Sequence, residues 1–276
     1  MRTVISSTLL MFVLSAAQSV AMDHRQFLQS GSRNFNIVLV KNEIQKAEEI
    51  EILRESADKG NMTAQFMLGA IYDEGVDVPR DHAEAAKWYA KAAKQGLPEA
   101  QYNLGMMYSR GSGVRQDYVE AVKWLTKAAK QGNVEAQFLL GVFYSNGAGV
   151  SQNYAESAKW LAISAEQGHA EAQNSLGLLF IKGTGVLQDS VEAAKWFMKS
   201  AKQGNANALY NLGVIYQIGD GTPLDFAEAA KWFMKAAEQG NVDAQNALGQ
   251  MYLNGIGVRQ DAAEAAKWFR KAKGIQ

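Results

Sequence analysis

The chain of 276 residues balances 28 Lys plus Arg against 28 Asp plus Glu and contains no cysteine. Balanced charge removes the electrostatic case for a nucleic-acid surface or a polybasic membrane patch. The missing cysteine excludes disulfide scaffolding, thiolate nucleophiles and Cys-ligated zinc, and leaves His24, His82 and His169 as the only imidazoles.

Residues 1–21 place Arg2 before an apolar run from Val4 to Ala17 and end in Ser19-Val20-Ala21, the pattern of a secretory signal peptide cut after Ala21. The apolar core is short for a membrane span and no second long apolar run follows it. The mature chain is therefore expected to be exported, periplasmic or secreted, without stable membrane insertion. Residues 22–46 form an N-terminal segment that carries His24.

From Asn61 onward the sequence repeats with a period of 36 residues: Trp88, Trp124, Trp160, Trp196, Trp232 and Trp268 keep that step, and so do Gly69, Gly105, Gly141, Gly177, Gly213 and Gly249. Six units follow without insertion or deletion, 61–96, 97–132, 133–168, 169–204, 205–240 and 241–276. The first half of each reads A-x-x-x-L-G-x-x-Y, offsets that share one helical face. Glycine inside a helix costs about 1 kcal/mol relative to alanine, so its recurrence marks a crossing point where another helix comes close. The second half reads D-x-x-E-A-x-K-W-x-x-K-A-A-x-Q-G. It opens on the N-caps Asp81, Asp117, Asn153, Asp189, Asp225 and Asp261, each followed three residues later by Glu in the manner of a capping box. Gly132 and its equivalents supply left-handed C-terminal caps, Asn61, Asn133, Asn205 and Asn241 cap the following helix, and Pro98 takes a first-turn position. The helices, roughly 13 and 15 residues long, are too short to stand alone in water and must be stabilised by stacking.

The loop between the halves, as in Arg110 to Gln116, is glycine-rich, but a helix precedes it and no phosphate-binding Lys follows, so its glycines are read as turn geometry. Six equivalent copies cannot each be a unique catalytic centre. His82 and His169 stand at surface-like positions near helix starts, His169 where other units use a capping Asn, and the repeated acids serve as caps and in i,i+3 pairs such as Glu84 with Lys87. No catalytic, metal-ligating or cofactor-binding residue is nominated, and the tryptophans are assigned to the core rather than to a stacking ladder. Recognition is expected where the units differ, on the side of the first helices facing away from the Ala-Leu-Tyr face: Phe66, Tyr102, Met106, Phe138, Val142, Asn174, Leu178, Tyr210, Asn246 and Gln250. The competing expectation is that neighbouring first helices bury part of this stripe against each other. The chain stops at Gln276 directly after the Trp268 helix, and weak end-to-end self-association through this last repeat is expected.

The combined pattern resembles the Sel-one-like repeat (SLR), a relative of the tetratricopeptide repeat, over residues 61–276. The resemblance implies an all-α, right-handed superhelical solenoid of six 36-residue helix-turn-helix repeats. Residues 47–60 resemble one more second helix, with Ile52 in place of the Trp, and would form a degenerate N-terminal capping half-repeat. The family further implies a concave groove lined by first helices that binds a protein or peptide, in a non-catalytic exported scaffold. Bacterial envelope assembly, or adhesion to and invasion of host cells, are the expected consequences. The alternatives are a cell-wall-directed enzyme, hydrolytic or penicillin-binding, and a secretory-pathway adaptor in which Asn61-Met62-Thr63 would accept a glycan.

Overall fold

The computed structural model describes residues 47–274; the signal-peptide reading and the segment 22–46 lie outside the described residues. Two compact units are distinguished, Met1–Leu53 and Arg54–Gln276. Of the first, the described part, 47–53, is helical and belongs to helix α1 (47–58), in which Ile52 is 67% exposed. The second unit is an all-α solenoid. Its helices are α2 (Met62–Glu74), α3 (His82–Lys94), α4 (Pro98–Arg110), α5 (Tyr118–Lys130), α6 (Val134–Asn146), α7 (Tyr154–Glu166), α8 (Ala170–Lys182), α9 (Ser190–Lys202), α10 (Ala206–Ile218), α11 (Phe226–Glu238), α12 (Val242–Asn254) and α13 (Ala262–Ala272). The described residues contain no strand.

Even-numbered helices are the first of each hairpin and odd-numbered ones the second. Each second helix packs against the first helix of its own repeat and, in the first five repeats, against the first helix of the next. The recurring glycine sits at the hairpin crossing. A Cβ on Gly105 would stand 2.8 Å from the Leu125 side chain, and one on Gly213 would stand 2.5 Å from the Phe233 ring, so the large second-helix residue occupies the space a side chain would need. Alanines fill the remaining close approaches, Ala121, Ala128 and Ala136 among them, all fully buried. Such small residues let helices too short for independent stability come near enough to bury a continuous core.

The caps form at the expected residues, with one difference in chemistry. Asp81 Oδ1 accepts from the amides of Ala83 at 2.9 Å and Glu84 at 3.0 Å. The Glu84 carboxylate turns outward and accepts from Lys87 at 2.8 Å instead of closing the box on the Asp81 amide. That amide is already engaged by the Tyr72 carbonyl at 2.9 Å, and the Asp117 amide donates to Tyr108 in the same way. The Glu84 hydrogen bond also pushes the Lys87 pKa up, although exposed pairs of this kind add little stability. The second helices are shorter than expected, 13 residues in α3, because Gln95 already takes the C-cap position before the left-handed Gly96.

The tryptophans pack into the core from the second helices: Trp88, Trp196 and Trp268 are buried, and Trp124, Trp160 and Trp232 are half-buried against it. Lysines three residues on lie over their rings, Lys91 at 3.6 Å from the Trp88 centroid, Lys127 at 3.9 Å from Trp124 and Lys199 at 3.8 Å from Trp196, and so shield the indoles from water. In the third repeat Ile163 takes the lysine's place and is exposed.

Candidate functional site

The first-helix stripe begins as side chains at every fourth position of α2, α4, α6, α8, α10 and α12, and the structure divides them between two uses. Phe66 tilts onto Tyr89 at 5.7 Å between centroids, and Tyr210 onto Phe233 at 5.6 Å. Phe138 stacks on His169 at 4.5 Å, and Asn174 accepts from Asn211 of the next repeat at 2.9 Å. Tyr102 is half-buried against the core that contains Leu140, and burial, with the Glu135 carboxylate second, pushes its phenol pKa up. Met106, Val142 and Leu178 are half-buried, while Asn246 and Gln250 of the sixth repeat are exposed.

His169 does not stand at the surface: its side chain is 8% exposed. Its Nδ1 accepts from the Ala172 amide at 3.1 Å as the cap of α8, and its Nε2 lies 3.1 Å from a Glu135 carboxylate oxygen. A neutral ring with the proton on Nε2 satisfies both contacts. Stacking on Phe138 is what buries it, a contact thirty-one residues away that helical periodicity does not reveal. His82 Nδ1 lies 2.7 Å from Asp73 Oδ1 at a partly exposed position.

A cleft opens on the stripe. Between the third and fourth repeats a cleft of about 280 Å³ is lined by Val142 and Ser145 of α6, Tyr154, Ser157 and Leu161 of α7, Ser175, Leu178, Leu179 and Lys182 of α8, and Thr184 of the following loop. The residues explain the space. At the equivalent junction one repeat earlier, Phe143 meets the edge of Tyr118 at 6.0 Å between centroids, and Leu139 packs against the core. The fourth repeat carries Leu179 and Ser175 at those positions, smaller in both cases. Leu161 also stands where the first, fourth and fifth repeats have Tyr89, Phe197 and Phe233. The floor is apolar, the walls carry hydroxyls, and the exposed Lys182 places a cation at the mouth. Of the residues the sequence nominates, Val142 and Leu178 meet here, while Phe66, Phe138, Asn174 and Tyr210 are engaged within the stack.

A second device joins the repeats and carries no periodic apolar signal. Buried Gln101 donates from Nε2 to the Ala93 carbonyl at 3.1 Å, and its Oε1 accepts from Gln131 of its own repeat at 2.8 Å. Gln65, Gln137, Gln173 and Gln245 make the matching bond to the preceding second helix. The recurring Ala-Gln pair and the Gln before each closing Gly are the signal that could have shown it. The loop glycines act structurally as well, since a Cβ on Gly113 would collide with the His82 carbonyl of the preceding repeat. Among the described residues no group of His, Asp and Glu is arranged to hold a metal ion, and no helix is long and apolar enough to cross a membrane.

A model of the Sel1 repeat matches six successive segments, residues 63–97, 98–133, 134–169, 170–205, 206–241 and 242–273. No curated protein matches. Among solved structures, the chain is similar to a protective antigen with an SLR fold present in uropathogenic Escherichia coli strains, at 38% identity and a TM-score of 0.77, over 80% of this chain and 48% of that one. It is also similar to a Sel1 repeat protein from Oxalobacter formigenes, at 36% identity and a TM-score of 0.70, over 82% of this chain and 99% of that one. The chain thus spans about half the length of the first relative and nearly all of the second.

Proposed function

The chain belongs to the Sel1 repeat family, whose members generally serve as protein-interaction scaffolds, and on that premise we propose that it is an exported, non-catalytic scaffold that grips a protein partner on its first-helix face. The observation that carries this reading is the cleft between the third and fourth repeats. Val142, Leu161, Leu178 and Leu179 offer an apolar floor for an anchoring side chain, and serine and threonine hydroxyls with Lys182 can meet the polar groups around it. Phe66, Phe138, Asn174 and Tyr210 are engaged within the stack, which holds the cleft rigid before a partner arrives and reduces the ordering cost of binding.

Export rests on the charge and apolar pattern of residues 1–21. A place in the envelope or in contact with host cells is supported by similarity to a protein described as a protective antigen. The cleft is tested with a photo-crosslinking residue at Ser175 in the producing cells. A trapped partner lost on Leu178→Asp, with helicity unchanged, supports the reading; an undiminished yield overturns it. Export predicts a periplasmic or secreted protein whose N-terminal sequence begins at Met22, and a cytoplasmic protein beginning at Met1 overturns it.

A further inference from the structure

The edge formed by the loops between first and second helices changes character from the fourth repeat onward. Leu187 is 90% exposed, Ile218 60% and Leu224 57%; Val191, Phe226 and Ile256 are exposed beside them, as Val119, Tyr118 and Val76 are at the same positions of the first two repeats. The loop after α10 rests through Gly221 on the Ser190 carbonyl and the Val191 amide, and Ser190 Oγ donates to Asp220 Oδ2 at 2.7 Å. The same loop turns back at Gly219 onto Leu224, and the loop after α12 rests through Gly257 on Phe226. These approaches bring the loop of each repeat onto the second-helix start of the repeat before it, so the exposed apolar residues lie along one edge from the fourth repeat to the sixth.

The second and third repeats show what this edge is when it serves only the fold. Gln116 donates to the Ser109 carbonyl at 2.9 Å and to the Tyr118 hydroxyl at 3.0 Å, and Gln152 donates to the Ser145 carbonyl at 2.7 Å and to the Tyr154 hydroxyl at 2.9 Å. Leu224 and Phe226 replace such a Gln and Tyr in the fifth repeat, and Leu187 stands where the third has Ser151. Leu224 gives up a helix-capping hydrogen bond and gains no burial, so folding does not account for it. Contiguous exposed apolar patches mark interaction sites.

The charges around the strip select the occupant. The exposed carboxylates of Asp189, Asp225 and Asp261, each the cap of its helix, and of Asp220, which accepts from Ser190, border it, against the exposed cations Lys182 and Arg259, while Lys195 and Lys231 are held by Glu192 and Glu228. We propose that the loop edge of the fourth to sixth repeats docks a basic amphipathic segment of a protein partner, its apolar side chains on the Leu187–Leu224–Phe226 strip and its cations on the aspartates. A second copy of this chain would bring like carboxylates together, and an anionic membrane would meet them too, so both are disfavoured. The strip is separate from the cleft, and either could fail alone.

The test replaces Leu187→Ser, Leu224→Gln and Phe226→Tyr together in the full chain, residues the third repeat already carries on the same backbone. Fluorescence anisotropy with a labelled leucine–lysine amphipathic peptide, and with its leucine–glutamate counterpart, reads binding. Wild type should bind the lysine peptide about tenfold or more tightly than the glutamate peptide, and the triple variant should lose about tenfold or more of that affinity while melting no lower than wild type. Leu178→Asp should leave this binding unchanged. Equal affinity for the two peptides, or a triple variant that binds as wild type does, overturns the proposal. Dimerisation in sedimentation that the triple variant abolishes, or flotation of wild type with phosphatidylglycerol vesicles that the variant abolishes, also overturns it by giving the strip another occupant.

Discussion

The second and fifth repeats share a backbone and spend their polar side chains differently. In the second, Gln101 and Gln116 pin the repeat to its predecessor and close the end of α4. In the fifth, leucine stands at both positions: Leu209 is buried and Leu224 is exposed. The buried exchange trades a hydrogen bond for apolar burial and leaves the stack intact. The exposed exchange has no such return. A solenoid in which each repeat touches only its neighbours can absorb both, and the difference between them separates what the fold requires from what it merely tolerates.

The sharpest way to break this comparison is at the crossing. Phe233→Ala should cost about 3–5 kcal/mol in urea unfolding, and more than Leu125→Ala; a smaller loss in the fifth repeat would mean that the larger ring adds nothing to the crossing. Gln101→Ala should cost about 0.5–1.5 kcal/mol by the same measurement, because the bond to the Ala93 carbonyl is lost while that oxygen keeps the Gly96 amide as a donor, whereas Leu209→Gln should not repair anything the fifth repeat lacks.

Tyr89 occupies in the first repeat the position of Phe233, and burial pushes its pKa up. Above its ordinary value of 10.0 the unfolded phenol loses its proton while the folded one keeps it, so the stabilising effect is complete below that pH and declines as pH rises. Stability should fall on the order of 1 kcal/mol between pH 9 and pH 11 in wild type, and less in Tyr89→Phe; equal falls would remove Tyr89 as the cause. The smallest expected change is a gain. Leu224→Gln should add about 0.5–1.5 kcal/mol by capping the Gln217 carbonyl, read as a higher melting temperature, and a loss would mean that Leu224 serves the fold after all.

Much of the architecture is legible along the chain because it depends on neighbours within one repeat. The N-caps at Asp81 and Asp117, the crossing glycines and the buried alanines each follow from local chemistry repeated at a fixed step. The candidate cleft is legible only in part. Val142 and Leu178 could be named from their helical faces, but Ser157, Ser175 and Lys182 come to them from other elements. The burial of His169 is not legible for the same reason, since it depends on Phe138 in the preceding repeat. The glutamine ladder is hidden in the sequence because a polar residue on a helix reads as solvated until the carbonyl it meets is known.

The sequence by itself determined the all-α repeat architecture, its period and the Sel1 relationship, because six copies of the same local signals can pack in the same way at every junction. Only the tertiary structure decided which part of the variable stripe stays open. That outcome depends on paired volumes across a junction, with Phe143 and Leu139 filling one and Leu179 and Ser175 leaving the next unfilled, and close packing turns such small differences into a site.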